Sequence, residues 1–161
     1  MVTIVPASTK THIEAARELF LEYAAWLEVD LCFQGFQQEL ADLPGKYAPP
    51  RGALLLALDG DKPVGCVALR PLQYGVCEMK RLFVRPAAQG QHLGDRLIQA
   101  IVSEARRLNY SSMRLDTLPG KMDRAIDLYR RAGFQEIAPY YDNPYPVLFL
   151  ELRLAPVPPS E

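Results

Sequence analysis

The sequence predicts an α/β fold built on a mixed β-sheet. Segments with strand character outnumber segments with helical periodicity, and in the second half of the chain the two kinds alternate as strand–helix–strand units. A chain of 161 residues that is 49% hydrophobic can bury one sizeable core. We therefore expect a single domain over residues 1–155, followed by a frayed Pro-rich tail at 156–161.

The first third of the chain is predicted to form one strand and two helices. The strand is "VTIVPA" at 2–7, and Ser8 or Thr9 then provides the N-cap of a helix whose apolar residues recur at helical spacing. "FQQELADL" at 36–43 is predicted as a shorter second helix. The prolines of "KYAPPRG" at 46–52 predict an irregular loop after it.

Three consecutive strands are predicted next, joined as an antiparallel meander. Their sequences are "ALLLAL" at 53–58, "KPVGCVALRPL" at 62–72 and "GVCEMKRLFVRP" at 75–86. The Asp-Gly-Asp sequence at 59–61 is typical of the tight turn in a hairpin.

The second half of the chain alternates helices and strands. A third helix is predicted over 92–108, where apolar side chains recur every three to four residues. "SMRLDTL" at 112–118 is a predicted strand, and "DRAIDLYRRAGF" at 123–134 is a predicted helix that Gly133 ends in the left-handed conformation. The strands that complete the sheet are "FQEI" at 134–137 and "VLFLELRL" at 147–154.

Charge and cysteine content exclude several classes of partner. Eighteen basic and nineteen acidic side chains give a formal net charge of -1, so no overall field attracts nucleic acid or an anionic membrane. No apolar run is long enough for a signal peptide or a transmembrane helix. The three cysteines form no CxxC motif, which predicts no metal site and a reducing, cytoplasmic location.

"AAQGQHLGDRLI" at 87–98 joins a predicted strand to the third helix and contains two glycines. A helix N-terminus presents unpaired N–H groups and a positive partial charge, so a turn of small residues at that point is an anion site, most often for phosphate. Two better-known phosphate loops do not fit. Gly90 and Gly94 lack the third glycine of G-x-G-x-x-G, and no Gly-Lys-Ser/Thr ends a P-loop.

The loop and the fourth predicted helix resemble a known family. The stretch 84–86, followed by Gln89-x-x-His92-x-Gly94, is similar to the Q/R-x-x-G-x-G/A acyl-CoA loop of the GNAT N-acetyltransferases. "DRAIDLYRRAGFQEI" at 123–137 is similar to the family's N-x-x-A-x-x-L-Y-x-x-x-G-F segment. The resemblance covers nearly the whole chain. It implies the GNAT acyl-CoA N-acyltransferase fold, a mixed, mostly antiparallel sheet of about seven strands flanked by about four helices, with acetyl-CoA as acetyl donor.

The same resemblance implies three catalytic residues. Glu78 is the general base for the incoming ammonium, directly or through a water, and burial beside the cofactor is expected to raise its pKa. The backbone N–H of Leu82 points at the thioester carbonyl, and Tyr129 donates its phenol proton to the CoA thiolate. Lys80 lies on the same strand face as Glu78, where it would lower the pKa of Glu78 and oppose that role.

The resemblance also implies a set of cofactor-binding residues, of which two depart from the family pattern. His92 stands in place of glycine, where it either crowds the diphosphate, donates a hydrogen bond to it or simply faces solvent. Asp123 stands where asparagine is frequent, and this changes a contact to the cofactor arm. The predicted cofactor-binding residues are Leu82, Phe83, Val84, Gln89, Gly90, Gln91, His92, Leu93, Gly94, Asp95, Asp123 and Tyr129.

Segments that vary within the family are the candidates for the acceptor site. Phe36, Tyr140 and Asn143 suit a small polar molecule with an apolar part, and Arg51 suits a carboxylate on that molecule. "YYDNPYP" at 140–146 also fits a rigid turn between two strands, and the two interpretations are compatible.

The predicted function is an acetyl-CoA-dependent N-acetyltransferase that acts on the primary amine of a small molecule, with amino-acid-like molecules among the candidates. Because the local sequence provides no base beside Cys77, we expect direct transfer in a ternary complex rather than an acetyl-cysteine intermediate. Two alternatives stay open: a peptide or protein N-acetyltransferase, and a non-catalytic acyl-CoA sensor. The last strand either finishes the sheet or pairs across a homodimer.

Overall fold

The computed structural model describes residues 1–31 and 35–154, and its strands form one seven-stranded sheet. The strands are β1 (Val2–Pro6), β2 (Ala53–Asp59), β3 (Lys62–Gln73), β4 (Val76–Val84), β5 (Ser112–Thr117), β6 (Gln135–Ile137) and β7 (Leu148–Arg153). They are ordered β1-β2-β3-β4-β5-β7-β6, with β4 and β5 parallel and every other neighbouring pair antiparallel. The predicted class, the mixed sheet and the meander are confirmed. The predicted tail lies outside the described residues.

Four α-helices flank the sheet within the described ranges. They are α1 (Lys10–Leu27), α2 (Phe36–Asp42), α3 (Leu93–Arg107) and α4 (Asp123–Ala132). Thr9, rather than Ser8, caps α1, because its hydroxyl accepts the His12 N–H at 3.1 Å. Gly133 ends α4 with a φ of 107°, as predicted. No helix in these ranges is long and apolar enough to cross a membrane.

The loop predicted to be irregular between α2 and β2 begins with a 3-10 turn at Gly45–Tyr47. The Tyr47 N–H donates to the Pro44 carbonyl at 2.7 Å. Only the first two residues of the predicted irregular segment 46–52 belong to this turn, and residues 48–52 form no helix or strand, as predicted.

The two faces of the sheet are covered by different helices. Leu97, Ile98 and Ile101 of α3 are fully buried against one face, in a cluster that includes Tyr129 of α4. Leu19 and Phe20 of α1 are fully buried in a second cluster with α2. The residues of a strand alternate between the two faces of a sheet. Because β4 contributes Cys77 and Met79 to the α3 cluster, the side chains of Glu78 and Lys80 lie on the opposite face.

The parallel strands β4 and β5 diverge in the middle of the sheet. Val76–Glu78 pair with Ser112–Arg114, and the pairing ends there although β4 continues to Val84 and β5 to Thr117. The sequence gives no sign of this divergence. It leaves a gap between the ends of two central strands, where backbone groups are available to a ligand.

A β-bulge in β4 lies at the edge of this gap. Cys66 faces Phe83 and Ala68 faces Lys80, so that Arg81 and Leu82 together oppose a single residue of β3. Arg81 has a φ of 64°, in the left-handed region. The bulge redirects β4 immediately before the residues predicted to contact the cofactor.

Candidate active site

A groove of about 610 Å³ runs between β4, the start of α3 and α4. Trp26 of α1 and Lys121 also line the groove, and the Lys121 Nζ lies 5.1 Å from the centre of the Trp26 ring. The sequence-predicted cofactor residues that line this groove are Leu82, Phe83, Val84, Gln89, Gly90, His92, Leu93, Gly94 and Asp95. We call this cavity the donor groove.

The loop at the floor of the donor groove is shaped by two left-handed residues. Gly90 has a φ of 88°, which glycine adopts without steric cost. His92 has a φ of 58° and occupies the N-cap of α3, but its side chain makes no capping hydrogen bond. The first N–H groups of α3 therefore lack a side-chain cap, and Leu93, Gly94 and Asp95 of this first turn line the groove.

Gly94 allows α3 and α4 to approach each other closely. A Cβ at this position would lie 2.8 Å from the Leu128 Cδ1 of α4. Arg124 and Arg131 line the same side of the groove, and the Arg124 Nη1 donates to the Gln89 side-chain oxygen at 3.4 Å. The groove therefore has apolar walls, three cations and two carboxylates, Asp95 and Asp127. The apolar walls and the cations suit a phosphorylated ligand with an apolar arm.

A smaller cavity of about 40 Å³ fills the gap between the diverging ends of β4 and β5. Leu82 and Met122 line both this cavity and the donor groove, so the two are adjacent. The charged and polar side chains around the smaller cavity include Lys80, Asp116, Tyr129 and Asn143. We call it the junction cavity.

Glu78 lies beside this region but is buried, with 1% of its surface exposed. Its Oε1 pairs with the Arg70 guanidinium at 2.8 Å, and its Oε2 accepts the Tyr140 hydroxyl at 2.5 Å. Burial opposes the charge, but Lys80, the Tyr140 hydrogen bond and Arg70 outweigh it and lower the pKa of Glu78 below its usual value. The expectation of a raised pKa was therefore wrong, whereas the opposing effect of Lys80 is present as expected.

Tyr129 projects from α4 into the junction cavity and is 3% exposed. Burial raises its pKa well above the ordinary value for a phenol. Its hydroxyl therefore stays protonated at neutral pH and can act as a hydrogen-bond donor.

Asp116 faces β4 across the junction cavity and was not among the residues predicted from sequence. Its Oδ2 accepts the Tyr141 hydroxyl. Asn143 Nδ2 donates to the Tyr141 oxygen at 2.7 Å, and the Tyr145 N–H donates to Asn143 Oδ1 at 2.9 Å. The segment 140–146 is thus a hydrogen-bonded turn, and two of its residues, Asn143 and Tyr145, line the junction cavity.

The sequence alone could only partly have predicted that Arg70 and Asp116 lie near Glu78. Alternation along β5 puts Asp116 on the same strand face as Arg114, whose register partner is Glu78. Arg70 is the register partner of Glu78 on β3. Both relations depend on register, which the sequence does not specify to the residue.

Besides Glu78, five predicted site residues line neither cavity. One of them, Tyr140, donates its hydroxyl to Glu78 Oε2. Phe36 is 6% exposed and packs under the Arg81 guanidinium, at 5.1 Å from its ring centre. The Arg51 guanidinium lies over the Tyr110 ring at 5.6 Å, outside the two cavities. Asp123 accepts the Gly120 N–H at 2.7 Å at the start of α4, and Gln91 is exposed outside the donor groove. The structure therefore does not bring these side chains to the two cavities.

Comparison with known proteins identifies the fold and the donor. The family model "Acetyltransferase (GNAT) family" matches residues 13–134. The chain belongs to the GNAT acetyltransferase family. It is accordingly an acetyl-CoA-dependent acyltransferase.

Individual GNAT relatives span almost the whole chain. An uncharacterized N-acetyltransferase of Schizosaccharomyces pombe is 39% identical over 157 residues, which are 96% of each chain. The crystal structure of a candidate acyl-CoA N-acyltransferase from Klebsiella pneumoniae is 31% identical with a TM-score of 0.74, and the match covers 96% of this chain and 99% of that one. A Salmonella typhimurium candidate acetyltransferase, solved with its cofactor acetyl-CoA, has a TM-score of 0.71 at 20% identity, with coverage of 100% and 98%.

No cluster of three or more potential metal ligands occurs in residues 1–31 and 35–154. Cys66 and Cys77 are both buried free thiols, and burial raises the pKa of each, that of Cys77 to about 12. Neither thiol is therefore an activated nucleophile.

Proposed function

We propose that this GNAT protein acetylates the primary amine of a small molecule by direct transfer in a ternary complex. The observation that supports this most strongly is the contact between the two cavities, which share Leu82 and Met122. A pantetheine arm in the donor groove would bring its thioester to the junction cavity, where an amine can meet it without a covalent enzyme intermediate.

Three residues have proposed catalytic roles in this transfer. The backbone N–H of Leu82, within the bulge, polarises the thioester carbonyl and stabilises the tetrahedral oxyanion. Tyr129 gives its phenol proton to the CoA thiolate. Glu78 takes the first proton of the acceptor ammonium through Tyr140, whose hydroxyl already donates to Glu78 Oε2.

The bonds and protons of the proposed reaction balance as follows. One N–H bond of the ammonium breaks, and its proton reaches Glu78. The amine nitrogen then forms a bond to the acetyl carbon, and the C–S bond breaks. The thiolate takes the Tyr129 proton, the Tyr129 phenolate takes the second proton from the new amide nitrogen, and Glu78 releases the first proton to water.

Closure of the acceptor side favours a small molecule over a protein chain. The Tyr145 hydroxyl accepts the Asp30 N–H at 3.1 Å, which joins the segment after α1 to the segment between β6 and β7. Tyr140 and Tyr141 pack edge-on at 5.4 Å, and each also packs on Phe149 of β7. These contacts hold in place the segment whose Asn143 and Tyr145 line the junction cavity, which favours a bounded pocket over the open groove that an extended peptide needs.

The test is an assay of CoA thiol release with purified protein, acetyl-CoA and two acceptor panels, one of small primary amines and one of peptides with free N-termini and lysines. We expect turnover with a small amine, and initial-velocity lines that intersect because both substrates bind before transfer. Tyr129→Phe is expected to lower kcat about 100-fold, with the KM for acetyl-CoA unchanged. Cys77→Ala is the matched control and should leave the kinetic pattern unchanged.

Other outcomes would distinguish the alternatives. Turnover with peptides alone would identify a protein acetyltransferase. Acetyl-CoA binding without thiol release for any acceptor would favour a sensor. Parallel velocity lines that Cys77→Ala abolishes would contradict direct transfer.

A further inference from the structure

We propose that Asp116 is the residue that binds the ammonium group of the acceptor. The inference rests on the proposed function and deepens it, because it makes the acceptor a cationic amine recognised by an ion pair. It also assigns binding of the ammonium charge to Asp116 and removal of the ammonium proton to Glu78.

The position of Asp116 supports this role. Asp116 lines the junction cavity together with Leu82 and Tyr129, the groups proposed to act on the thioester. The cavity is only about 40 Å³, so an ammonium group held by the Asp116 carboxylate would lie close to both. A near-attack arrangement requires this short separation.

Glu78 is less suited to making that contact. It is 1% exposed, and the structure does not include it among the residues that line the junction cavity. Arg70 engages its Oε1 and Tyr140 its Oε2. An ammonium group in the cavity therefore reaches Asp116 directly, whereas Arg70 and Tyr140 already occupy the Glu78 carboxylate.

Hydrogen bonds fix the direction of the Asp116 carboxylate. The Tyr141 hydroxyl donates to Oδ2, and Asn143 Nδ2 donates to the Tyr141 oxygen at 2.7 Å. The Tyr145 N–H in turn holds Asn143 by donating to its Oδ1 at 2.9 Å. A carboxylate held in this way has lost its rotational freedom before the ligand arrives, which lowers the entropic cost of binding.

Lys80 lines the same cavity as Asp116 and is 8% exposed. Burial, together with Arg81, lowers the pKa of the Lys80 ammonium. Asp116 lines the same cavity and its negative charge offsets part of the repulsion between Lys80 and a cationic acceptor. Arg81 also lines the cavity, but its guanidinium is paired with Glu39.

The test compares Asp116→Asn with wild type on two kinds of amine. Straight-chain primary alkylamines are cations at neutral pH, whereas hydroxylamine is largely uncharged there and needs no ion pair. We expect kcat/KM for the alkylamines to fall about 100-fold, mainly through KM, and kcat/KM for hydroxylamine to change little. The matched control is Asp142→Asn, an exposed carboxylate in the neighbouring turn, which should leave both substrates unaffected.

Donor binding provides a readout independent of turnover. Trp26 is the single tryptophan of the chain and lines the donor groove, so its fluorescence should report acetyl-CoA binding. Asp116→Asn should keep the wild-type Kd for acetyl-CoA. If that variant fails to fold, Tyr141→Phe, which removes the hydrogen bond to Asp116, should raise the alkylamine KM in the same selective way.

Three results would overturn the proposal: an unchanged alkylamine kcat/KM, equal losses for alkylamines and hydroxylamine, or a fall confined to kcat. The last would make Asp116 a group that acts in the chemical step. Failure of the wild-type protein to acetylate any amine would instead contradict the proposed function itself, and it is therefore distinguishable from failure of the Asp116 assignment alone.

Discussion

The donor groove and the junction cavity are adjacent but are built in opposite ways. The donor groove takes most of its lining from two continuous stretches, 82–95 and 121–131, and offers apolar walls and an uncapped helix N-terminus. The junction cavity and its surroundings draw charged side chains from β3, β4 and β5, most of them already paired. The comparison indicates that donor recognition depends on backbone and shape, whereas acceptor chemistry depends on a fixed arrangement of charges.

The largest expected effect is on the acceptor side, at Glu78. Glu78→Gln keeps the shape and can still accept from Tyr140, but it cannot take up a proton. We expect kcat to fall about 1,000-fold while the Kd for acetyl-CoA, measured by Trp26 fluorescence, stays unchanged. A parallel loss of donor binding would break the proposed division between the two regions.

The next largest effect is expected on stability, at Arg81 in the bulge between the donor groove and the junction cavity. The Arg81 guanidinium makes two hydrogen bonds of 2.9 Å to Glu39 of α2, and its side chain is 2% exposed. Arg81→Met should lower the free energy of unfolding by about 3 kcal/mol, because a carboxylate that is mostly buried loses its partner. Urea denaturation measures this change.

A double variant distinguishes loss of the ion pair from loss of packing as the cause of the Arg81→Met effect. Adding Glu39→Gln to Arg81→Met removes the unpaired charge and should restore part of the lost stability. If the double variant is no more stable than Arg81→Met, the loss comes from packing against Tyr23 and Phe36, over which the guanidinium lies.

A pH-dependent effect follows from the lowered pKa of Glu78. A carboxyl whose pKa is lower in the folded than in the unfolded state stabilises the fold above its unfolded pKa, near 4.5, and loses that contribution as the pH falls through its folded pKa. The free energy of unfolding of wild type should therefore fall more steeply below pH 4.5 than that of Glu78→Gln. Identical acid profiles would show that the Glu78 charge contributes nothing to stability.

The smallest expected effect is in the donor groove. His92 adopts a left-handed conformation that costs a non-glycine residue about 1 kcal/mol. His92→Gly should lower the Kd for acetyl-CoA by less than tenfold, as measured by Trp26 fluorescence, because removal of the imidazole lets a diphosphate approach the backbone of the loop more closely. A higher Kd would indicate that the imidazole itself contacts a phosphate.

The residues of the donor groove could be predicted because its chemistry is local in the chain. The loop 87–98 connects a strand to a helix wherever the sheet lies, so Gly90, His92 and Gly94 reach the groove by chain connectivity alone. The predicted acceptor residues Phe36 and Arg51 did not reach the two cavities. Their types suited a ligand, but Phe36 packs under Arg81 and Arg51 over Tyr110.

The sequence by itself determined the class, the order of the helices and strands, and the loop at the start of α3, because periodicity, capping and turn residues act over a few neighbours. Only the tertiary structure decided the divergence of β4 from β5, the bulge at Arg81 and the position of Asp116 opposite β4. The lowered pKa of Glu78 was likewise decided by the tertiary structure, because Arg70 and Tyr140 come from a different strand and a distant loop. These features depend on strand register and on charges brought together from far apart in the chain, which no local pattern encodes.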